Sequence, residues 1–67
     1  MDLIVNGERR SVALGTTVGQ LLAELKVASE RIVVEVNMKI LKRAEHAGTL
    51  LHEGDVIELV RFVGGGS

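Results

Sequence analysis

The alternation of apolar and polar residues near the N-terminus predicts a β-hairpin. The apolar run 3–5 ends at Asn6-Gly7. Asn-Gly is favoured in a two-residue hairpin turn because both central residues of a type I′ turn need positive φ. The return strand is predicted over residues 9–14, where Val12 and Leu14 alternate with smaller side chains.

The next segment predicts a single amphipathic helix. Thr17 is a candidate N-cap, and Gln20, three residues later, is placed to complete a capping box. Apolar residues then recur at the helical spacing i, i+3, i+4 and i+7. They are Val18, Leu21, Leu22 and Leu25. The helix is expected to end near Lys26.

The second half of the chain returns to strand patterns. A β-branched run predicts a strand over 32–37, and a shorter strand is predicted over 40–42. Residues 44–51 are expected to be irregular, with one helical turn at most, and either Leu50 or Leu51 enters the core. A turn at 53–55 leads into the last strand, 56–63.

The order of these elements predicts an α+β fold. A helix with one apolar stripe must bury it, and here only a sheet is available to cover it. We expect a mixed sheet of four to five strands with one main helix across one face, which is the β-grasp, or ubiquitin-like, arrangement. The predicted domain covers residues 1–63, and residues 64–67 are expected to be a flexible glycine tail.

One face of this sheet is expected to carry an apolar patch. Alternation points Ile57 toward the helix and Val60 and Phe62 toward the open face. If the first and last strands are neighbours, Ile4 joins them beside the tail. Because small proteins that expose such patches use them to dock partners, we predict a partner-binding surface. Its predicted members are Ile4, Val60, Arg61 and Phe62.

Composition narrows the possible functions. The chain has no cysteine, so disulfides and thiolate metal sites are excluded, and we expect no bound metal or cofactor. Its two histidines, His46 and His52, are predicted to lie on surface loops. Nearly balanced charge and a single aromatic residue argue against nucleic-acid binding. No apolar run is long enough to span a membrane, and we expect a cytoplasmic monomer.

The glycines at the C-terminus suggest chemistry at the end of the chain. Gly64-Gly65-Gly66 follow the last predicted strand directly. Glycine carries no Cβ, so a run of glycines can enter a narrow channel where another backbone approaches closely. We found no nucleophile–base pair, P-loop or dinucleotide motif, and therefore we do not expect an enzyme.

Several short motifs together resemble one family along the whole chain. These motifs are Val5-Asn6-Gly7, Thr17-Val18-Gly19-Gln20-Leu21-Leu22, Val36-Asn37 followed by Arg43, Glu53-Gly54-Asp55, and Val60-Arg61-Phe62-Val63-Gly64-Gly65-Gly66. Their order and spacing resemble ThiS, the small sulfur-carrier family of thiamin biosynthesis, and more distantly MoaD of molybdopterin synthesis.

The resemblance implies a carrier that other proteins activate. An E1-like adenylyltransferase of the ThiF or MoeB type would use ATP to adenylate the carboxylate of Gly66, with Gly65 and Gly64 required in the tail. Sulfur from a donor such as a cysteine desulfurase would then give a thiocarboxylate. A thiazole synthase of the ThiG type would receive the sulfur.

Two departures from the family pattern leave alternatives open. Ser67 lies beyond the reactive glycine, so either a protease removes it, it is not native, or this member is not activated as it stands. Lys42 replaces a proline that many members carry. A MoaD-like carrier, conjugation to lysines as in ubiquitin, and a plain β-grasp interaction module remain the alternative functions.

Overall fold

The last strand of the chain lies in the middle of a five-stranded sheet. The computed structural model describes residues 1–61, apart from the side chain of Ser29. Within them the strands are β1 (Asp2–Val5), β2 (Glu8–Ser11), β3 (Ile32–Val36), β4 (Lys39–Leu41) and β5 (Val56–Arg61), and helix α1 is Val18–Glu24. The order is β2-β1-β5-β3-β4, with β1 parallel to β5 and the other pairs antiparallel. This confirms the predicted α+β fold with a mixed sheet.

The core lies between α1 and one face of the sheet. Each element contributes side chains at the spacing that its geometry dictates, every second residue on a strand and one stripe on the helix. The fully buried side chains are Leu3, Val18, Leu21, Val34 and Ile57. Three of the four residues of the predicted helical stripe are buried, and Leu25 packs partly buried against them.

Local hydrogen bonds fix both ends of α1. The Thr17 Oγ1 accepts from the Gln20 amide at 3.2 Å, and the Gln20 Oε1 accepts from the Thr17 amide at 2.9 Å, so the predicted capping box is confirmed. At the other end, Lys26 adopts a positive φ of 58° and its amide donates to the Ala23 carbonyl. The helix therefore ends where the sequence predicts.

The return strand is shorter than predicted. It ends at Ser11, and Leu14, expected to alternate into the sheet, is 84% exposed. The reason is a turn in which the amide and hydroxyl of Thr16 both donate to the Ala13 carbonyl. This turn buries Thr16 and projects Leu14 into solvent.

The segment between β4 and β5 shows which of two leucines enters the core and that the prediction for one histidine was wrong. Leu51 enters the core, whereas Leu50 is 53% exposed. The predicted single turn of helix is a 3-10 turn at Arg43–Glu45. His46, predicted on the surface, is only 5% exposed, because this turn lays it against α1, where the Gly19 amide donates to the His46 carbonyl at 2.9 Å.

Strand β5 confirms the predicted alternation up to the limit of the described residues. Ile57 is fully buried and Leu59 packs against the core, whereas Glu58 and Val60 face away. Residues 62–67, including Phe62 and the predicted glycine tail, lie outside the described residues. None of the helices in residues 1–61 has the length and apolar character needed to cross a membrane.

Candidate functional site

The face of the sheet opposite α1 carries branched apolar side chains from four adjacent strands, including Ile40 of β4, which pairs with Glu35 and is 64% exposed. Ile4 of β1 pairs with Val56 of β5, and Val33 of β3 pairs with Val60 of β5. Val56 and Val60 are 41% and 53% exposed, and the other two are partly buried. We call Ile4, Val33, Val56 and Val60 the open-face patch.

This patch differs in membership from the predicted one. Ile4 and Val60 do lie on the same face, but Ile4 pairs four residues before Val60, a separation of about 13 Å along the strand. Between them Glu58 pairs with Glu35, which makes the middle of the face polar. Val33 and Val56 were missed because the pairing register, which brings them beside the predicted residues, cannot be deduced from alternation within one strand.

Arg61 lies apart from the other predicted members. It pairs with Ile32, a residue that packs against the core, and alternation puts it on the helix side of the sheet with Ile57 and Leu59. Its side chain is exposed there. Arg61 is therefore on the opposite face from Ile4 and Val60, and the contribution of Phe62 lies outside the described residues.

An asparagine side chain holds the C-terminal end of β5, which we call its exit end. Asn6 has a positive φ of 49° in the β1–β2 turn, and its Oδ1 accepts from the Leu59 amide at 2.7 Å. Its Nδ2 donates to the Leu59 carbonyl at 3.4 Å. The side-chain amide thus imitates a backbone group and continues the β1–β5 pairing after β1 itself has ended.

A second asparagine holds the start of the same strand. Asn37 follows β3 with a φ of 52°, and its Oδ1 accepts from the Val56 amide at 2.9 Å. Its Nδ2 donates to Asp55 Oδ1 at 3.0 Å, and the other Asp55 oxygen accepts from the His52 amide at 2.8 Å. Both ends of the strand that leads to the C-terminal glycines are therefore fixed by polar side chains.

The buried histidine offers no catalytic arrangement. Neither ring nitrogen of His46 has a hydrogen-bond partner among the described residues. Burial lowers the pKa of His46 below its ordinary value, the positive charge of Arg43 lowers it further, and Glu45 opposes both. A neutral imidazole packed beside a helix is a structural group. Within residues 1–61 no three His, Cys, Asp or Glu side chains are grouped so that they could hold a metal ion.

Comparison with known proteins decides the family. A model of the ThiS family matches residues 3–66, which include all three C-terminal glycines. The chain belongs to the ThiS family. A crystal structure of the thiamine biosynthesis protein ThiS from Geobacter metallireducens is 40% identical, with a TM-score of 0.86 over 98% of this chain and 100% of that chain. This structural similarity confirms the predicted β-grasp fold.

Two kinds of relative are similar to this chain. The sulfur carrier protein ThiS of Bacillus subtilis is 38% identical over 50 residues, which cover 75% of this chain and 76% of that protein. A thiazole synthase of Paramagnetospirillum magneticum is 42% identical over 67 residues, which are 100% of this chain and 21% of that protein. The chain therefore spans about a fifth of the length of the thiazole synthases that it matches.

Proposed function

We propose that this chain carries sulfur as a thiocarboxylate at Gly66 and donates it to the formation of the thiamin thiazole. The observation that carries the proposal is the match of the ThiS family along residues 3–66, up to and including that glycine. The similarity to a protein named as a sulfur carrier gives further support. In this account the chain is a co-substrate and not an enzyme.

The proposed chemistry begins with activation of the carboxylate. A carboxylate resists attack because oxide is a poor leaving group. An oxygen of the Gly66 carboxylate would attack the α-phosphorus of ATP, forming an acyl adenylate and releasing pyrophosphate. A persulfide sulfur would then add to the acyl carbon and expel AMP, and cleavage of the resulting S–S bond by a thiol would leave the thiocarboxylate. Each step needs an unhindered carbonyl, which glycine supplies.

The folded body supports this chemistry by holding the strand that precedes the predicted tail in place. Strand β5 is central in the sheet and is held by Asn37 at its start and Asn6 near its exit. Gly66 is the fifth residue after Arg61. A chain of that length reaches at most about 17 Å when fully extended. The activating partner must therefore approach the exit end of β5 closely.

The proposed partners follow from the chemistry. An E1-like adenylyltransferase of the ThiF or MoeB type would supply ATP-dependent activation, and a cysteine desulfurase would supply sulfur. A thiazole synthase would accept it, and the similarity of this chain to a segment of two thiazole synthases supports that partner. The open-face patch consists of two apolar pairs with Glu35 and Glu58 between them, and we assign this surface, on which Val60 is 53% exposed, to docking.

Mass spectrometry tests the proposal directly. A chain ending at Gly66 is incubated with the adenylyltransferase, ATP, the desulfurase and cysteine. We expect the mass increase of one oxygen-to-sulfur exchange, located on the C-terminal peptide. A matched chain ending at Gly65 should gain nothing, because the terminal carbonyl then falls one residue short of the ATP site. Equal masses before and after incubation for the Gly66 chain would contradict the proposal.

The exposed valines favour one alternative function, a docking module in which the tail plays no part. Removing residues 65–67 distinguishes the two functions. A carrier loses all sulfur transfer while its circular dichroism spectrum stays unchanged. A docking module keeps its partner, which surface plasmon resonance with the immobilised thiazole synthase would detect.

A further inference from the structure

We propose that Lys26, Arg31 and Arg61 form a basic surface. This surface docks an acidic segment of the adenylyltransferase that receives the C-terminal tail. We call these three residues the tail-side basic surface. The inference rests on the proposed function for the identity of that protein. It concerns the helix side of the sheet, and so it is separate from the open-face patch.

The three cations surround one cavity at the point where β5 ends. The cavity has a volume of about 360 Å³ and is lined by Lys26, Val27, Ala28, Arg31 and Arg61. Lys26 follows the end of α1, Arg31 closes the 3-10 turn Ser29–Arg31, and Arg61 is the last residue of β5. Three separate elements thus each place one positive charge beside the exit end of β5.

These charges have no partner within the described part of the fold. Between residues 1 and 61, the only acidic and basic side chains within 4.0 Å of each other are Asp55 and His52, which lie near the start of β5, at the opposite end of that strand from Arg61. Glu30 is exposed but does not line the cavity. The carbonyls at the end of α1 accept from backbone amides, Ala23 from Lys26 and Leu22 from Val27. Neither ion pairing nor helix capping accounts for the cations.

Most of the basic side chains lie at the same end of the described fold. A second cavity, of about 280 Å³, shares Val27 with the first and is lined by Arg9 and Arg10, with Glu8 as its one acidic residue. Five of the eight Lys and Arg residues therefore line cavities at this end, although the net charge is −1. The start of β5 is acidic instead, with Glu53 accepting from the Asp2 amide at 2.8 Å.

An acidic protein segment fits this surface better than other anions. Unspecific single-strand nucleic-acid sites pair basic grooves with stacking aromatic rings, and among residues 1–61 no aromatic side chain lines either cavity. Exposed charges of one sign steer a partner of opposite charge and raise the association rate more than the final affinity. Here steering would orient the exit of β5 toward the entrance of the partner's tail channel.

A peptide titration tests the surface without any assumption about the partner. The full chain, labelled with ¹⁵N, is titrated with a glutamate hexapeptide at about 0.01 M salt and again at about 0.15 M, where the Debye length falls from about 30 to 8 Å. We expect amide shifts confined to residues 26–31 and 61 that shrink at the higher salt. Equal shifts at Lys39 and Lys42, no shifts, or tighter binding of an oligonucleotide of the same charge would overturn the inference.

Charge reversal tests the role in docking. Stopped-flow association with the adenylyltransferase is compared for K26E/R61E and for K39E/K42E, which changes the net charge equally at exposed sites elsewhere. We expect the first variant to associate at least about tenfold more slowly at low salt and the second to match the wild type. Equal effects of both variants would contradict the inference. If K26E/R61E does not fold, R61Q replaces it.

The two experiments separate this inference from the proposed function. If the wild type does not bind the adenylyltransferase, the proposed function fails, and the peptide titration still decides whether the basic surface selects acidic segments. If the wild type binds and receives sulfur but K26E/R61E associates normally, the proposed function stands and the inference is wrong.

Discussion

The two faces of the sheet use the same residue types but differ in what covers them. On the helix-covered face, Val34 and Ile57 are completely buried beneath α1. On the open face, their neighbours in sequence Val33 and Val56 are partly exposed, and Val60 is 53% exposed. Burial makes the first set necessary for folding, whereas solvent exposure frees the second set for contact with a partner. If the open face docks a partner as we propose, folding and docking are separable in one sheet.

The largest expected effect is a difference in the free energy of unfolding between variants of two valines, which lie on adjacent strands and on opposite faces of the sheet. Val34→Ala removes two methyl groups from a fully buried site and should cost about 2–3 kcal/mol, because a cavity remains. Val60→Ala, at a site that is already half exposed, should cost less than about 1 kcal/mol. Urea denaturation of both variants measures the difference. Equal losses of stability would mean that the two faces are not energetically distinct.

The next effect concerns Asn6, which holds the strand that the two faces share. Asn6→Ala loses two hydrogen bonds to Leu59 and puts alanine, which tolerates a positive φ less well than asparagine, into the turn, and should cost about 2 kcal/mol. Asn6→Gly loses the hydrogen bonds but tolerates the φ, and should cost about 1 kcal/mol. Hydrogen exchange at the Leu59 amide should accelerate in both variants. Unchanged exchange there would show that Asn6 does not hold β5.

A smaller effect concerns the loss of stability at acid pH, which we attribute to the buried histidine beside α1. The pKa of His46 is lowered in the folded state mainly by burial, so below the ordinary value of 6.5 the unfolded chain binds a proton that the folded chain does not. This contribution to stability is complete above about pH 6.5 and is lost as the pH falls toward the folded pKa. His46→Leu should remove this part of the acid sensitivity.

The exposed histidine provides the control for that measurement. His52, whose side chain is 77% exposed, is replaced by glutamine, and thermal unfolding is followed between pH 5 and 7.5 for all three proteins. We expect the curve for His46→Leu to be flatter than the curves for the other two proteins. A wild-type slope in the His46→Leu variant would exclude His46 as the titrating group.

Local sequence signals predicted the type and order of the elements correctly, although the return strand is shorter than predicted. The Asn6-Gly7 turn, the Thr17–Gln20 capping box and the alternation of Ile57 and Leu59 each depend on neighbours within a few residues. Those interactions form in the same way whatever the rest of the chain does. They were sufficient to predict one helix across a mixed sheet.

The features that the sequence did not reveal depend on contacts between distant segments. His46 is buried because the segment that follows the turn at Arg43–Glu45 packs on Gly19, on a helix that precedes β3 and β4 in the chain. Val33 and Val56 join the open-face patch because β3 and β1 flank β5 in a particular register. Arg61 lies on the helix side for the same reason. The predicted roles of Gly64, Gly65 and Gly66 rest on the family pattern and stay predictions.

The intact mass of the protein isolated from its own cells, grown without thiamin, tests the central claim most directly. Our account predicts a species that ends at Gly66 and carries one sulfur in place of a carboxylate oxygen, and that reverts to the carboxylate when thiamin is supplied. A single species that retains residues beyond Gly66 under both conditions, with no sulfur gained, would contradict it.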